Sequence, residues 1–319
     1  MGRHSVGTLP QRQSAPDVPS REVARKGRGH SLLVPLALLI IGLCVLLYPV
    51  VATQLSNLHQ REVAEQYSQL LQQKPEGELT EQLMLAEEYN RSSVSGTLRD
   101  PWRDAEGNGG QEYDAYMKML SIGDVDSPMS QIVIPAAGVN LPIYHGTGHS
   151  SLDRGVGHLW GTSLPVGGPG THSVLTGHTG LTRATMFDNL TEMKEGSVFY
   201  LNTFGRKMKY QVDDISVVKP DEVDSLAVVP GEDLVTLITC TPYGINDHRL
   251  LVRGFRVPMD PAEEVEAYST PPLEWQWWMK AILAFVGCCL LLLLALFIRA
   301  AVRRMRHSSG RQQTKEPKS

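Results

Sequence analysis

The sequence predicts a mainly β domain of seven or eight strands, a barrel or a sandwich, with short helices before it and a transmembrane helix on either side. Three observations lead to this prediction. Two long segments near the ends of the 319-residue chain are almost free of charge. Between residues 130 and 257, short apolar or alternating runs are separated by Gly and Pro clusters, which is typical of strands joined by turns. The stretch before them has apolar residues at helical spacing.

Both ends of the chain are basic and its middle is acidic. Residues 1–30 form a tail with six Lys or Arg residues against two acidic ones, and residues 299–319 form a tail with seven against one. The formal charge of the whole chain is −4, which leaves 17 basic and 31 acidic residues between the tails. Because nucleic-acid binding needs basic surface opposite the phosphates, no nucleic acid is expected among the partners.

The first span is predicted over residues 31–53, which carry no charge and as a helix would extend roughly 34 Å, enough to cross a bilayer core. The second is predicted over residues 277–298, entered through Trp277 and Trp278 and followed by Arg299. Basic outer flanks place both termini in the cytosol and the intervening chain outside the cell, so we expect a two-span protein of the cell membrane with the lipid bilayer as a partner. A cleaved signal peptide for the first span, and a buried core helix for the second, are the alternatives.

Between the spans, residues 54–127 are predicted to form an extracellular helical region. Apolar spacing indicates two or three short helices over 54–73, 78–90 and 111–121, and the Asp- and Gly-rich stretch at about 98–110 indicates a loop. Residues 128–260 are predicted to be the β domain, and residues 261–276 a linker to the second span. Strands are expected at 131–135, 139–144, 172–176, 197–202, 207–218, 233–239 and 249–257.

Cys240 is the only cysteine outside the two spans, so a disulfide within the exported domain is excluded although export favours disulfides. It follows the apolar, β-branched run 234–239 and precedes the turn-forming residues 241–244, which places its thiol at the rim of the domain. A nucleophile needs that position, together with a base or a positive neighbour that promotes thiolate formation. An inert, buried core cysteine is the alternative.

His178 has the same setting as Cys240, since it follows the short apolar strand 173–176 and Gly180 soon breaks the chain. Two polar groups that end two apolar strands can meet at one rim, so His178 is the candidate base. His145, His158, His172 and His248 are interpreted as strand or turn residues with ordinary hydrogen bonds.

Arg249 and Arg253 are candidates to stabilise an oxyanion. They lie four residues apart on one predicted strand and point to the same face, so the pattern does not choose between them. No Cys or His pair has the spacing of a structural zinc site, and the Gly-rich turn 166–170 is not followed by a phosphate-loop helix. No cofactor and no metal are therefore expected.

At these residues the sequence resembles a known family. The segment 236–254, TLITCTPYGINDHRLLVRG, is similar to the signature of the class C, pilin-polymerising sortases, which are membrane-bound cysteine transpeptidases of Gram-positive bacteria. The runs PIYHGT at 142–147, GH at 157–158 and GTSLPVGG at 161–168, and the segment around His178, also resemble that family. The likeness extends over residues 85–260 and includes the two-span arrangement. It implies a closed, sortase-type β-barrel.

The resemblance also implies roles for single residues. Cys240 would be the nucleophile, His178 the acid and base, and Arg249 the group that stabilises the oxyanion or orients the substrate, in preference to Arg253. Asp100-Pro101-Trp102 resembles the lid motif of the class, so that Asp100 would face Arg249 and Trp102 would cover Cys240. A solvent-exposed Asp-Pro turn is the alternative. The sequence departs from the class at Thr179, where Arg is common, which bears on substrate preference.

The implied reaction is cleavage of an LPXTG-like sorting signal between Thr and Gly, with a thioacyl intermediate on Cys240 that is transferred to a pilin lysine. The implied partners are pilin subunits that carry the sorting signal and an acceptor lysine. Two other functions stay open at this point. One is a housekeeping-type sortase that joins surface proteins to the cell-wall precursor, and the other is a non-catalytic, membrane-anchored adhesion module.

Overall fold

A computed structural model describes residues 33–92, 110–123, 127–268 and 275–312. By compactness the chain divides into two units, residues 1–43 and residues 44–319. The described part of the first unit, residues 33–43, is the helical beginning of α1. The second unit holds the rest of that helix and every other element that the structure describes.

Within the described ranges the α-helices are α1 (Leu33–Gln73), α2 (Glu76–Ser92), α3 (Gly110–Lys118), α4 (His149–Leu152), α5 (Pro261–Ala267) and α6 (Trp277–Gln312). Helices α1 and α6 are long and apolar enough to cross a membrane. Residues 54–73 are not the separate short helix that we expected, because α1 runs through Pro49 and on to Gln73 without a break. Likewise, α6 continues past residue 298 into the basic tail, and α5 lies inside the stretch expected to be a linker.

Eight strands close into a barrel in the order β1-β2-β3-β4-β7-β8-β6-β5. Their bounds are β1 Ser130–Ile134, β2 Val139–His145, β3 Val156–His158, β4 Thr171–Thr176, β5 Val198–Thr203, β6 Arg206–Val218, β7 Asp233–Thr241 and β8 His248–Val257. The pairs β2–β3 and β4–β7 are parallel and the other pairs are antiparallel. The closed barrel confirms the mainly β fold class and excludes the sandwich.

Alternation along the strands separates the barrel interior from its outer face. On β7 and β8 the side chains of Leu237 and Val252 join the main core inside the barrel. Their neighbours Ile238 and Leu251 point outward, where they meet Val174 of β4 in a second, smaller apolar cluster. Both faces of the sheet at β4, β7 and β8 are therefore buried, which explains the nearly continuous apolar run of β7.

One strand, β3, was not among the expected segments. It has three residues with Gly157 in the middle, so it is too short to show alternation. A side chain at Gly157 would come within 2.4 Å of the carbonyl oxygen of Gly146, so the close approach of two backbones requires glycine there.

Candidate active site

Cys240 is the last residue but one of β7. It lies on the outward face of the strand, two residues after Ile238, and it is half-buried. The chain then leaves the barrel in a tight turn in which the N–H groups of Ile245 and Asn246 donate to the Pro242 carbonyl, at 3.0 and 2.9 Å. Asn246 has a φ of 60° and Gly244 a φ of 79°, so two left-handed residues return the chain to β8.

Arg249 is the direct cross-strand partner of Cys240 in the β7–β8 pair. It points to the outward face, like Leu251, and is 9% exposed. One guanidinium nitrogen, Nη1, donates to the carbonyls of Asn246 and His248, at 3.2 and 3.1 Å. The turn therefore orients the guanidinium beside the cysteine.

His178 lies on the other side of Cys240. Strand β4 runs parallel to β7 with Thr176 opposite Ile238. The pairing continues past the strand end, because Gly177 N–H donates to the Ile238 carbonyl at 3.0 Å and the Thr239 hydroxyl donates to the Gly177 carbonyl at 2.7 Å. This register brings His178 level with Cys240.

The three residues thus lie side by side at one end of the barrel, with Cys240 on β7, Arg249 on β8 and His178 two residues past the end of β4. Neighbouring strands lie about 4.8 Å apart, so the imidazole and the guanidinium are both within side-chain reach of the thiol. Their chain order, His then Cys then Arg, is spread over 72 residues, from 178 to 249. The barrel closure, and not local sequence, brings them together.

Burial lowers the pKa of His178 below the ordinary value of 6.5. Asp153 opposes this effect by favouring the imidazolium, whereas His149 and Arg183 add to it. Asp153 and Arg183 also pair with each other at 3.2 Å. The imidazole is therefore neutral at pH 7 and able to accept a proton.

The loop after His178 contacts the backbone of the histidine and of the glycine before it. Phe187 N–H donates to the His178 carbonyl at 3.0 Å, and the Phe187 ring lies so close to Gly177 that a Cβ there would be 2.6 Å from it. Asp188 accepts hydrogen bonds from Gly180 N–H at 2.7 Å and from the Thr179 hydroxyl at 3.1 Å. Burial raises the pKa of Asp188 to about 6. Thr179, where the sequence departs from the class, thus has a local structural role as a hydrogen-bond donor to Asp188.

Arg253, the other candidate arginine, has a different environment. It forms two hydrogen bonds with the Asp213 carboxylate, at 3.1 and 2.9 Å. Asp213 lies at the register irregularity of β6 between Val212 and Asp214. Arg253 is therefore part of an ion pair four residues along β8 from the site.

The four histidines interpreted as strand or turn residues have ordinary partners. His145 contacts the Met119 carbonyl at 2.7 Å, and His172 contacts the Ala227 carbonyl and the Thr236 hydroxyl. His158 lies between the Tyr116 hydroxyl and the Ser163 carbonyl, and His248 lies beside Asp247. Burial lowers the pKa of both His145 and His158 to about 4, so these two are neutral core residues.

Asp153, Arg183 and Phe187 shape the His178 environment and were not expected from the sequence. The only available signal was their position in the connections next to β3 and β4. The two residues of the expected lid, Asp100 and Trp102, lie outside the described residues.

Comparisons with known proteins agree with this architecture. The sortase domain family matches residues 132–257, which is the barrel from β1 to β8. Sortase C-1 from Actinomyces oris is 57% identical in sequence, with a TM-score of 0.55 and coverage of 58% of this chain and 100% of that chain. Sortase C from Streptococcus pneumoniae is 38% identical, with a TM-score of 0.56 and coverage of 62% and 97%.

A curated relative, sortase A of Streptococcus agalactiae, is 33% identical over 113 residues, which are 34% of this chain and 45% of the relative. The chain thus spans about half the length of that curated relative. The closed eight-strand barrel and the match to the sortase domain family together define a sortase-type barrel. The chain belongs to the sortase family, and its similarity to the two solved sortase C structures confirms the class C resemblance.

Proposed function

We propose that this chain is a membrane-anchored cysteine transpeptidase. It cleaves an LPXTG-like sorting signal between Thr and Gly, holds the Thr end as a thioester on Cys240 and transfers it to a lysine of a pilin subunit. The observation that carries the proposal is the register of β4, β7 and β8, in which Cys240 is opposite Arg249 and His178, two residues past the end of β4, is level with Cys240. Membership of the sortase family supports the same chemistry.

The first half-reaction begins with proton transfer. Neutral His178 accepts the proton of the Cys240 thiol, and the thiolate attacks the Thr carbonyl carbon, so that a C–S bond forms and the carbonyl oxygen becomes an oxyanion. Arg249 stabilises that charge. The C–N bond to Gly then breaks, and the imidazolium gives its proton to the leaving amine.

The second half-reaction returns the enzyme to its starting state. A neutral lysine amine attacks the thioester carbon, again through an oxyanion beside Arg249. The C–S bond breaks, the new C–N isopeptide bond forms, and the proton lost by the amine passes through His178 to the Cys240 sulfur. No redox partner or cofactor is needed, since one amide bond replaces another.

Pilin is the preferred substrate class. The Streptococcus pneumoniae structure was described in terms of catalysis and pilin substrate specificity, and the similarity covers 97% of that structure and 62% of this chain. A housekeeping-type reaction would use the same first half-step and differ only in the acceptor amine, which belongs to the cell-wall precursor. The acceptor is therefore what an experiment has to identify.

Both apolar helices are proposed to span the membrane, with the basic tails 1–30 and 299–319 in the cytosol and the barrel outside. The cell membrane is also where a sorting-signal protein is held before cleavage. Enzyme and substrate then share one surface, which raises the effective concentration of each for the other.

A lid is proposed over the site. The resemblance of Asp100-Pro101-Trp102 to the lid motif of class C sortases implies that Asp100 pairs with Arg249 and that Trp102 covers the Cys240 thiol. Trp102→Ala should then speed alkylation of Cys240 by a small thiol reagent, and Trp102→Phe, which keeps an aromatic ring, should not. Equal rates in the wild type and in Trp102→Ala would contradict a closed lid.

The function is tested with purified full chain and purified pilin subunits. We expect ladders of covalent polymer whose linkage peptides contain a Thr–lysine isopeptide bond by mass spectrometry. A pilin with its acceptor lysine changed to Arg controls for the nucleophile, and Cys240→Ala controls for the enzyme. In a parallel reaction that also contains purified cell-wall precursor, attachment to the precursor without polymer would favour the housekeeping reaction. Unchanged surface-protein processing in cells carrying Cys240→Ala would favour the adhesion module.

A further inference from the structure

The loop that follows His178 is hydrogen-bonded to residues where the two apolar spans leave the expected membrane region. Thr53 is the last residue of the first predicted span, and its hydroxyl donates to the Thr182 carbonyl at 3.0 Å. Directly before α6, which contains the second predicted span, Gln276 Nε2 donates to Asn189 Oδ1 at 2.7 Å. Thr53 is 1% exposed and Asn189 is 8% exposed, so these contacts are shielded from water.

A third link, through the side-chain amide of Asn57, has two hydrogen bonds. Its Nδ2 donates to the Thr185 hydroxyl at 2.8 Å, and its Oδ1 accepts from the Thr185 backbone N–H at 2.9 Å. Thr185 is 8% exposed. A buried backbone N–H that loses its acceptor is destabilising, so Asn57 fixes the backbone of the loop at this point.

Two residues later the same loop touches the candidate base. Phe187 N–H donates to the His178 carbonyl and its ring packs on Gly177. The ends of both spans therefore connect to His178 through one short stretch of chain, residues 182–189, which is buried from 184 to 187. The two helices also meet each other here, because Gln54 Nε2 contacts Met279 Sδ at 3.3 Å.

We propose that Asn57 and Gln276 are positioning residues, which form a clamp between the outer ends of the membrane spans and the His178 loop. The inference rests on the proposed function for the role of His178. The clamp lies at the end of the barrel where β4 and β7 finish, which is the end that carries Cys240. Membrane anchoring and the geometry of the active site are thus coupled, and the site opens near the surface that would hold the substrate.

The chain offers matched variants for this proposal. Asn57→Leu keeps the shape of the side chain and removes both hydrogen bonds. Asn57→Asp keeps both, because a carboxylate accepts from the Thr185 N–H and from the Thr185 hydroxyl. Ser68→Ala is the control on the same helix: it also removes two hydrogen bonds to the barrel, with Gln131 at 2.6 Å and Asn202 at 3.0 Å. Ser68 is eleven residues further along α1, roughly 16 Å from the clamp.

The experiment uses the full chain in nanodiscs and measures kcat and KM on a fluorogenic sorting peptide, together with hydrogen exchange. Asn57→Leu should lower kcat by about 10- to 100-fold, as expected when a catalytic group is misplaced by about 1 Å, with KM unchanged. Exchange of amides in residues 178–190 should rise in the same variant. Asn57→Asp and Ser68→Ala should match the wild type in both measurements.

Two results would overturn the clamp: unchanged exchange over 178–190 in Asn57→Leu, or equal damage in Asn57→Leu and Asn57→Asp. A wild type without activity on any sorting peptide would refute the proposed function instead, and the exchange measurement would still decide whether Asn57 holds the loop. A general loss of protection across the barrel in Asn57→Leu would also count against a local clamp.

Discussion

Replacing Arg249 and Arg253 separately distinguishes a guanidinium that acts on the substrate from one that acts on the fold. Arg249 is 9% exposed, lies opposite Cys240 and is oriented by two backbone carbonyls. Removing one donor to an oxyanion costs about 2.7–4 kcal/mol of transition-state stabilisation, or about 10²–10³ in kcat. Arg249→Ala should show a loss of that size.

Arg253 should behave differently. Its two hydrogen bonds to Asp213 join side chains that are 32% and 30% exposed, and an ion pair this exposed contributes about 0.2–1 kcal/mol. Arg253→Ala should therefore lower the free energy of unfolding by about that amount. Its kcat should stay within about twofold of wild type, because Arg253 lies four residues along β8 from Arg249 and its guanidinium pairs with Asp213.

The assay is steady-state cleavage of a fluorogenic sorting peptide by the full chain, with urea unfolding of the same preparations. Arg249→Lys adds a useful intermediate, since it keeps the charge and loses the planar fork. The reasoning would be refuted by a large kcat loss in Arg253→Ala at unchanged stability. It would also be refuted by Arg249→Ala with kcat within about tenfold of wild type, below the loss of a single oxyanion donor.

Three further predictions concern the His178 side of the site. Because burial keeps the pKa of His178 below 6.5, activity should be lost only as the pH falls below that value. Asp153 favours the imidazolium, so Asp153→Asn should move this acid limb of kcat/KM to still lower pH. An acid limb that moves to higher pH would contradict the role of Asp153. Gly177→Ala puts a Cβ 2.6 Å from the Phe187 ring, so it should cost about 1–3 kcal/mol in urea unfolding, and an unchanged midpoint would argue against that contact. Burial raises the pKa of Asp188 from 3.8 to about 6, so its contribution to stability is present below the lower value and is lost as the pH rises through the higher one. Asp188→Asn should remove this decline, worth about 1 kcal/mol once solvent screening of a partly buried carboxyl is allowed for, and parallel stability–pH curves for both proteins would contradict the shift.

Much of the barrel follows from local pattern. Alternating or β-branched runs between Gly and Pro clusters predicted seven of the eight strands, with ends that differ from the structure by a few residues. The eighth, β3, is held by pairing to β2 and β4 and has no pattern of its own. Closure of the sheet between β1 and β5 depends on contacts between residues far apart in the chain, such as Gln131 with Asn202, 71 residues later, and no local pattern predicts them.

The residues of the candidate site could be predicted where a reactive side chain stands at the end of an apolar strand. A single exported cysteine at the end of an apolar strand indicated Cys240, and a similar strand end indicated His178. The choice between Arg249 and Arg253 was not predictable from alternation, because both face outward. What separates them is Asp213, which an irregularity in β6 places beside Arg253.

The supporting contacts of His178 were also beyond the sequence pattern. Asn57 reaches Thr185 across 128 residues, and nothing in the helical spacing around Asn57 indicates a polar partner. Such contacts exist only once the part of α1 from Thr53 onward packs against the barrel and its loops. They are the part of the site that depends on tertiary structure alone.

The central claim is that Cys240 carries the cleaved sorting signal as a thioester. The most direct measurement is intact-protein mass spectrometry of the full chain after brief incubation with a sorting peptide and rapid acid quench. A mass increase equal to the peptide up to its Thr, located on Cys240 by digestion and released by hydroxylamine, is the predicted result. Turnover of the peptide with no such adduct in the wild type, and undiminished turnover in Cys240→Ala, would contradict it.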